Sequence, residues 1–330
     1  MGSYDKTIIV IGACGFIGSH IIERLIQTGY DVMAVDNKST GVFKNIKDFY
    51  TEKYFDGNVF TIDKLHQYPK IPIIYHFGMP SSYKMYENNK HLYPYTIKDF
   101  LTVLEYCKQW NSKLIYASTA SLYWGNSIPF KENMNLYPKD LYSECHHQME
   151  RLANLYSLYN IDTIGLRLFN VYGKREEHKG DNASIITQFV HSVSANETPI
   201  IYGDGNQTRD FIYVDDAVDA IIKCMEPKIK GSNIFNIGSG NSYSFNEILE
   251  LIANALDTEV KPVYQPQLDR NYVNHSMADL SKVNKYLNWK PKTPIENGIR
   301  NIIEDGFYKG IFKQEELLEQ EQEEQKEKKE

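Results

Sequence analysis

The chain has 330 residues, of which 42% are hydrophobic and 24% are charged, a composition typical of a folded protein with one large domain or two lobes. Its net charge is −7, and five of these negative charges come from the eight glutamates and three lysines of residues 314–330. The rest of the chain is close to neutral, which argues against a nucleic-acid-binding surface. No segment contains the roughly 18–20 consecutive apolar residues of a transmembrane helix, so we expect no membrane association.

The cysteines and the start of the chain indicate the compartment. Cys14, Cys107, Cys145 and Cys224 are widely spaced without a C-x-x-C pair, so we expect neither a disulfide framework nor a metal site. The first residues, MGSYDKTIIVIGA, lack the basic start and cleavage site of a signal peptide. We therefore expect a reduced, cytoplasmic protein.

The first half of the chain alternates strand-like and helix-like segments. Short β-branched runs predict strands that are buried on both faces, at residues 7–13, 31–36, 73–77, 113–118 and 163–169. Apolar residues at helical spacing predict helices over 16–28, 96–109 and 141–159. Strands that alternate with helices form right-handed βαβ crossovers, so we expect an α/β fold with a parallel sheet covered by helices on both faces.

Beyond residue 173 the predicted elements become shorter and are broken by Gly, Pro, Asn and Asp. This change indicates a smaller C-terminal lobe over the carboxyl ends of the strands, where ligands bind in such sheets. We therefore predict a nucleotide-binding domain at 1–172 and a second lobe at 173–313 that is partly interleaved with the sheet. Residues 314–330 are charged and almost free of apolar side chains, which is typical of disorder or a frayed helix.

A glycine-rich turn joins the first predicted strand to the first predicted helix. Gly12, Gly15 and Gly18 allow a tight turn and a close approach of the backbone to a pyrophosphate at the helix N-terminus. Asp36 ends the second strand 18 residues after Gly18, where a carboxylate would accept hydrogen bonds from ribose hydroxyls. It would also repel a 2′-phosphate, so the pattern favours NAD over NADP and predicts a Rossmann-type doubly wound sheet. Asp63 is either an adenine contact or a surface residue.

The chain resembles a known family over residues 7–308. The resemblance rests on GACGFIGSH, VDNKSTG, YHFG, YASTASLYW, YSECHHQMERL, LRLFNVYG, YGDGNQTRDFIYVDDAVDA and DR…MADLSK…LNWKPKTPIENGI. These segments resemble the extended short-chain dehydrogenase/reductases, and more narrowly their NAD-dependent nucleotide-sugar epimerases and dehydratases. VDNKSTG and NVYGKREEHKGDNAS are most similar to UDP-glucose and UDP-N-acetylglucosamine 4-epimerases, with a second likeness to heptose-nucleotide 6-epimerases.

The resemblance implies a catalytic pair of Tyr142, as the base, and Thr119, as a hydroxyl beside it. The family expects lysine four residues after the tyrosine, where it binds the nicotinamide ribose and lowers the tyrosine pKa, but this chain has His146. Histidine has an unperturbed pKa of about 6.5, so near a cationic nicotinamide His146 would be mostly neutral at neutral pH. It could still hydrogen-bond the ribose, but the fixed charge is lost. We therefore expect slower chemistry with a higher pH optimum, or no turnover.

Five further positions depart from or narrow the family pattern. Thr96 replaces an asparagine that braces the site, Trp124 replaces the glycine after SxxY, and Cys145 replaces a serine. The 4,6-dehydratases carry an Asp-Glu pair directly after the hydroxyl residue, where this chain has Ala120 and Ser121. Neither side chain can perform acid–base chemistry, so dehydration is not expected.

The resemblance also assigns binding residues. It implies cofactor contacts from Gly12, Gly15, Phe16, Ile17, Gly18, Asp36, Asn37, Asp63, Phe77, Gly78, Ala117, Tyr142, His146 and Phe169. It implies substrate contacts from Thr119, Asn170, Tyr202, Arg209, Arg270 and Ser276. Asn170 and the two arginines would hold the diphosphate, Tyr202 would stack on the base, and Ser276 would admit an N-acetyl group.

These features predict an NAD-dependent nucleotide-sugar 4-epimerase that acts on a UDP-sugar through a transient 4-keto intermediate. Two alternatives remain open at this stage. One is a 4-dehydrogenase or another tailoring enzyme, and the other is a relative that binds NAD and nucleotide sugar with impaired catalysis because of His146. Helices 96–109 and 141–159 resemble those of the family's dimer contact, so we expect a homodimer.

Overall fold

The structure, a computed structural model, describes residues 7–49, 53–57, 71–266 and 274–305. Its strands are β1 (Thr7–Ile11), β2 (Asp31–Asp36), β3 (Tyr54–Asp56), β4 (Ile73–His76), β5 (Lys113–Thr119), β6 (Thr163–Leu168), β7 (Asn170–Tyr172), β8 (Ile200–Tyr202), β9 (Thr208–Arg209), β10 (Phe211–Tyr213), β11 (Ser232–Ile237), β12 (Tyr243–Ser244) and β13 (Val263–Gln265). Its α-helices are α1 (Phe16–Gln27), α2 (Tyr83–Asn88), α3 (Leu92–Trp110), α4 (Leu141–Tyr156), α5 (Ile185–Ser194), α6 (Val214–Lys223), α7 (Phe245–Ala255), α8 (Ser281–Leu287) and α9 (Ile295–Glu304). The predicted tail at 314–330 lies outside the described residues.

Seven of these strands form one sheet in the order β11-β6-β5-β4-β1-β2-β3, and every neighbouring pair in it is parallel. The sheet order reverses between β1 and β4, which is the crevice where dinucleotides bind in folds of this kind. The predicted Rossmann-type doubly wound parallel sheet is therefore confirmed.

Both faces of the sheet are buried because each central strand is apolar on both sides. In β1, Ile8 and Val10 belong to one core cluster, whereas Ile9 and Ile11 belong to the other. This alternation follows from the two-residue period of a strand. Helices α1 and α6 pack together on the first face, and α3 and α4 pack together on the second. The carboxyl ends of the strands are left open for a ligand.

The second part of the chain is built from short elements, as the change of pattern after residue 173 predicts. Three two-stranded sheets pair β7 with β10, β9 with β12 and β8 with β13. Strand β11 returns to the main sheet and pairs with β6. Helix α3 begins four residues before the predicted start, because Pro94 falls in its first turn, where a missing N–H costs no hydrogen bond. Among the described helices, none has the length and apolarity needed to cross a membrane.

Candidate active site

The turn after β1 is shaped to approach a ligand with its backbone. Gly12 has a φ of +85°, and its N–H donates to the carbonyl of Val35 at 2.9 Å. A Cβ at Gly18 would overlap the carbonyl oxygen of Gly12, so the helix start and the turn pack directly on one another. Helix α1 begins at Phe16 with Gly15 as N-cap, without a side-chain cap and without an acidic residue in its first turn. Its N–H groups and positive dipole end are therefore available to an anion.

Asp36, the last residue of β2, lies beside this turn and is buried. Its carboxylate accepts hydrogen bonds from the backbone N–H of Cys14 at 2.8 Å and of Lys38 at 2.6 Å. Burial raises the pKa of the carboxyl group, and these two donors oppose the rise. A carboxylate has further acceptor sites beyond these two, so Asp36 can also accept from ribose hydroxyls. It borders a cavity of about 300 Å³ together with Asn37, Phe77 and Gly78.

A second cavity of about 530 Å³ lies at the carboxyl ends of β5 and β6 and brings most of the remaining predicted residues together. It is lined by Gly15, Phe16, Ile17, Gly18, Phe77, Ala117, Thr119, Tyr142, His146, Phe169, Asn170, Arg209 and Ser276. Gly15 and Phe77 line both cavities, which are thus neighbouring parts of one cleft. Gly12 lines the smaller one.

Tyr142 lies in the first turn of α4, whose start is fixed by a capping box. The side chain of Asp140 accepts from the N–H of Ser143 at 2.7 Å, and the hydroxyl of Ser143 accepts from the backbone N–H of Asp140 at 3.2 Å. Burial raises the pKa of Tyr142 to about 12, while a hydrogen bond from Thr119 lowers it and the charge of Asp140 raises it further. The site thus pairs a phenol with a hydroxyl but leaves the phenol a weak acid.

His146 lies one turn along α4 and is buried against Tyr142, with ring centroids 4.7 Å apart and planes at 76°. Burial lowers the pKa of His146 to about 4, although the nearby charge of Glu150 opposes this. At neutral pH the imidazole is therefore uncharged. Its Nδ1 atom is buried and has no hydrogen-bond partner among the described residues. A buried polar atom of this kind needs a partner, and a ligand hydroxyl in the cleft could supply one.

A buried ion pair joins α4 to the strands that lead into the cleft, and the sequence analysis missed it. Arg167 on β6 holds Glu150 on α4 through two hydrogen bonds of 2.9 and 2.7 Å. Ser118 donates to the same carboxylate at 2.6 Å, and Arg167 also donates to the hydroxyl of Tyr123 at 2.7 Å. The pair therefore joins α4, which carries Tyr142, to β5 and β6. One signal was present in the sequence, because Glu150 lies on the same helical face as His146, four residues later.

The far side of the cleft is organised around Asp210, which the sequence analysis also missed. Its buried carboxylate accepts from the backbone N–H groups of Ser239, Gly240 and Ala278 at 2.6–3.0 Å. Asn170 donates its side-chain amide to the carbonyl of Asp210 at 3.1 Å. Asp210 thereby holds the segment that presents the neighbouring Arg209 and Ser276.

Arg209 and Ser276 both line the 530 Å³ cavity and have defined surroundings. Arg209 donates to the carbonyls of Thr208 at 2.9 Å and Asn274 at 3.3 Å, and its guanidinium lies 5.6 Å from the ring centroid of Phe245. Ser276 is buried and accepts at 3.3 Å from the N–H of Asp210.

One predicted residue does not line the cleft, and two others lie outside the described residues. Tyr202 lies on β8 with 48% of its surface exposed and lines neither of the two cavities. Asp63 and Arg270 lie outside the described residues.

Comparison with known proteins decides the family. Residues 8–238 match the model of the NAD dependent epimerase/dehydratase family. The chain belongs to this family. It is 31% identical over 304 residues to a putative UDP-glucose 4-epimerase of Methanocaldococcus jannaschii, covering 90% of this chain and 97% of that one. It is 32% identical over 309 residues to an ADP-L-glycero-D-manno-heptose-6-epimerase of Brachyspira hyodysenteriae, covering 90% and 96%.

Among solved structures, a UDP-glucose 4-epimerase of Thermotoga maritima with UDP-glucose superposes with a TM-score of 0.85. It is 27% identical and the match covers 93% of this chain and 99% of that one. The predicted membership and the predicted cofactor, NAD, are therefore confirmed.

The residues of this family member fit NAD. The uncapped start of α1 suits the pyrophosphate, Asp36 suits an adenosine ribose, and the buried Nδ1 of His146 suits a second ribose hydroxyl. Within the described ranges, no group of three or more His, Cys, Asp or Glu side chains is placed to hold a metal ion.

Proposed function

We propose that this member of the family is an NAD-dependent nucleotide-sugar 4-epimerase whose substrate is a UDP-hexose or a UDP-N-acetylhexosamine. The observation that carries the proposal is the pairing of Tyr142 with Thr119 in a cleft that also contains the start of α1. Similarity to proteins named as UDP-glucose 4-epimerases over nine-tenths of the chain supports the same reaction class.

In the proposed reaction Thr119 holds the C4 hydroxyl of the sugar and Tyr142 removes its proton. NAD⁺ held by the start of α1 and by Asp36 would supply the hydride chemistry at C4, through which the hydroxyl becomes a ketone and is re-formed on the opposite face of the sugar. Tyr142 returns the proton as the ketone is reduced. The cleft must let the sugar turn over between the two steps, so Thr119 and Tyr142 must reach the C4 oxygen in both orientations.

The chain itself does little to ionise Tyr142. A phenol with a pKa of about 12 is almost entirely protonated at neutral pH. Thr119 and the N-terminus of α4 favour the phenolate, but His146 has its pKa lowered to about 4 and contributes no charge. His146 would therefore act only as a hydrogen-bonding partner of the nicotinamide ribose. This is why we propose slow turnover that accelerates as the pH rises.

A second candidate function is that of a relative that binds NAD and nucleotide sugar without turnover. The neutral state of His146 favours it, since the family's lysine would be charged. Thr96 also favours this second function. It replaces an asparagine that braces the site in the family, and its hydroxyl lies 3.1 Å from that of Tyr86 inside the core. A one-way 4-dehydrogenase uses the same residues and differs only in releasing the ketone.

Proton NMR of the full chain with NAD⁺ and a panel of UDP- and GDP-sugars tests the proposal. We expect new anomeric signals of the C4 epimer with at least one UDP-sugar, and their loss in Tyr142→Phe, which keeps the ring but not the hydroxyl. A ketone product with NADH would instead identify a dehydrogenase. No turnover of any sugar, with NAD⁺ and UDP-sugar both bound, would overturn the epimerase and support the binding relative.

For the substrate, we propose that Asn170 and Arg209 hold the diphosphate and that Ser276 leaves room for an N-acetyl group. The fork of an arginine matches phosphate oxygens, and its place beside Phe245 limits its motion. Roles for Tyr202 at the base, Arg270 at the diphosphate and Asp63 at adenine remain part of the proposal.

We also propose a homodimer formed through α3 and α4. These helices pack together, and large apolar side chains near the end of α4 and on the turn that follows it are more than half exposed: Leu155, Leu158 and Tyr159. A cluster of this kind is typical of a protein–protein contact. Light scattering should give twice the chain mass, and Leu158→Glu should halve it; a monomeric wild type would contradict the proposal.

The four free, buried cysteines agree with the proposed cytoplasmic location.

A further inference from the structure

Trp124 is an aromatic residue in the cleft that the proposed reaction does not use. It lines the 530 Å³ cavity together with Thr119, Ser121 and Tyr142. It is 37% exposed, whereas Trp289 is only 2% exposed. An indole that faces a ligand cavity offers a flat apolar surface with a polar edge.

The backbone on both sides of Trp124 is fixed. It directly follows a 3-10 helix at Ala120–Tyr123, which is capped by the hydroxyl of Thr119 accepting from the N–H of Ser121 at 3.1 Å. The catalytic hydroxyl and the indole are therefore the two ends of one short turn.

Tyr123 anchors this turn in the core. Its ring is fully buried and stacks on Phe130 with a centroid distance of 4.9 Å, and its hydroxyl donates to Asn236 at 2.7 Å. On the other side, Asn126 donates its N–H and its side-chain amide to the carbonyl of Tyr123 at 3.0 and 3.2 Å. These contacts hold the backbone that carries Trp124 in a defined conformation.

The same cavity is lined by Arg209 and Asn170, whose side chains have the donors needed for phosphate, and by the small Ala120 and Ser121, which precede Trp124 in the same turn. A hexopyranose ring carries C–H bonds on its faces and hydroxyls around its edge. Its apolar face would cover the indole while its C4 hydroxyl reaches Thr119 and Tyr142.

We propose that Trp124 is a specificity-determining residue that stacks on the pyranose ring of the nucleotide sugar. The inference rests on the proposed function, because it takes the ligand to be a nucleotide sugar. It adds a contact that distinguishes a nucleotide sugar from the nucleoside diphosphate alone. It applies to binding and holds whether or not His146 supports turnover.

Tryptophan fluorescence tests the inference directly, because the chain has three tryptophans and Trp124→Phe isolates the contribution of one. The difference in emission between wild type and Trp124→Phe, with NAD⁺ present, gives the signal of Trp124. We expect this signal to change when UDP-glucose or UDP-N-acetylglucosamine is added, and to stay unchanged with UDP.

Calorimetric affinities supply a second, independent reading. Trp124→Gly should weaken binding of the UDP-sugar by about tenfold, or about 1.4 kcal/mol, and leave UDP binding unchanged. Trp124→Phe keeps an apolar face and should lose less than about threefold. Thermal unfolding of each variant checks that the fold is retained, as expected for a partly exposed side chain.

The outcomes separate the two proposals. If the ratio of UDP-sugar affinity to UDP affinity is the same in wild type and in Trp124→Gly, and no Trp124 signal appears, the stacking role is overturned. The proposed epimerase function is unaffected by that result. If neither UDP nor any UDP-sugar binds, the proposed function and the stacking role both fall.

Discussion

The two halves of the cleft differ in how closely they follow the family pattern. Around the turn after β1, the glycines and Asp36 occupy the places that a dinucleotide requires. Around the start of α4, the tyrosine and the hydroxyl are retained, but His146 stands at the lysine position and Trp124 at a glycine position. In the proposed mechanism, cofactor binding depends on backbone shape and hydrogen bonds, whereas ionisation of Tyr142 depends on a nearby positive charge that the neutral His146 does not supply. The first half can therefore be complete while the second is altered.

The largest effect is expected on the free energy of unfolding, from the buried pair of Glu150 on α4 and Arg167 on β6. Glu150→Gln leaves a buried guanidinium without its counter-charge, so the free energy of unfolding should fall by about 3–5 kcal/mol. Urea unfolding followed by circular dichroism measures this. The exposed pair of Lys228 with Glu226 is the control, and Glu226→Gln should cost less than about 1 kcal/mol. Equal losses for both variants would show that burial does not set the contribution of Glu150.

The next effect tests the cofactor half. In Gly18→Ala the new methyl group would overlap the carbonyl of Gly12, so the turn must deform. We expect NAD⁺ affinity to fall by at least about 100-fold, the equivalent of about 2.7 kcal/mol, as measured by calorimetry. Gly231→Ala, at a glycine with φ of +71° and open space for a Cβ, should cost some stability and leave NAD⁺ affinity unchanged. Normal NAD⁺ binding by Gly18→Ala would contradict the packing of the turn.

A substitution at Asp36 should have a smaller effect, on the preference of the cofactor half for NAD⁺ over NADP⁺. Asp36→Ser removes the charge that repels a 2′-phosphate and one partner of the ribose hydroxyls. The ratio of NAD⁺ to NADP⁺ affinity should fall by about tenfold or more, since charge-assisted hydrogen bonds contribute about 1.5–3 kcal/mol. Dissociation constants for both cofactors test this. An unchanged ratio would mean that another residue sets the preference.

How far the sequence predicts each half has a physical basis. The turn and Asp36 follow from local spacing between a strand and a helix, and the strands at 7–13 and 31–36 differ from the observed ones by two residues or fewer. Glu150 and Arg167 are 17 residues apart on different elements, so only the packing of α4 on β6 shows that they meet. Strand β11 was missed because SNIFNI carries two asparagines, although it forms the edge of the main sheet. The boundary at residue 172 remains a prediction.

The pH dependence of turnover belongs to the catalytic half. Only ionised Tyr142 accepts the proton, and burial raises its pKa to about 12, so the rate should rise with pH. The rise should approach about tenfold per pH unit on the alkaline side of neutrality, for as long as the pKa of the bound site exceeds the pH. Initial rates with saturating UDP-sugar test this. A rate that is flat with pH would mean that the phenol is already ionised.

The most direct test of the central claim compares His146→Lys with wild type in the same NMR assay at neutral pH, alongside NAD⁺ affinity. His147→Lys is the matched control, because it adds the same charge to the next position of α4, at a residue that does not line the 530 Å³ cavity. We expect similar NAD⁺ affinity in all three proteins and faster epimerisation in His146→Lys alone. Turnover by wild type that equals or exceeds that of His146→Lys would contradict the claim that the missing charge limits the chemistry.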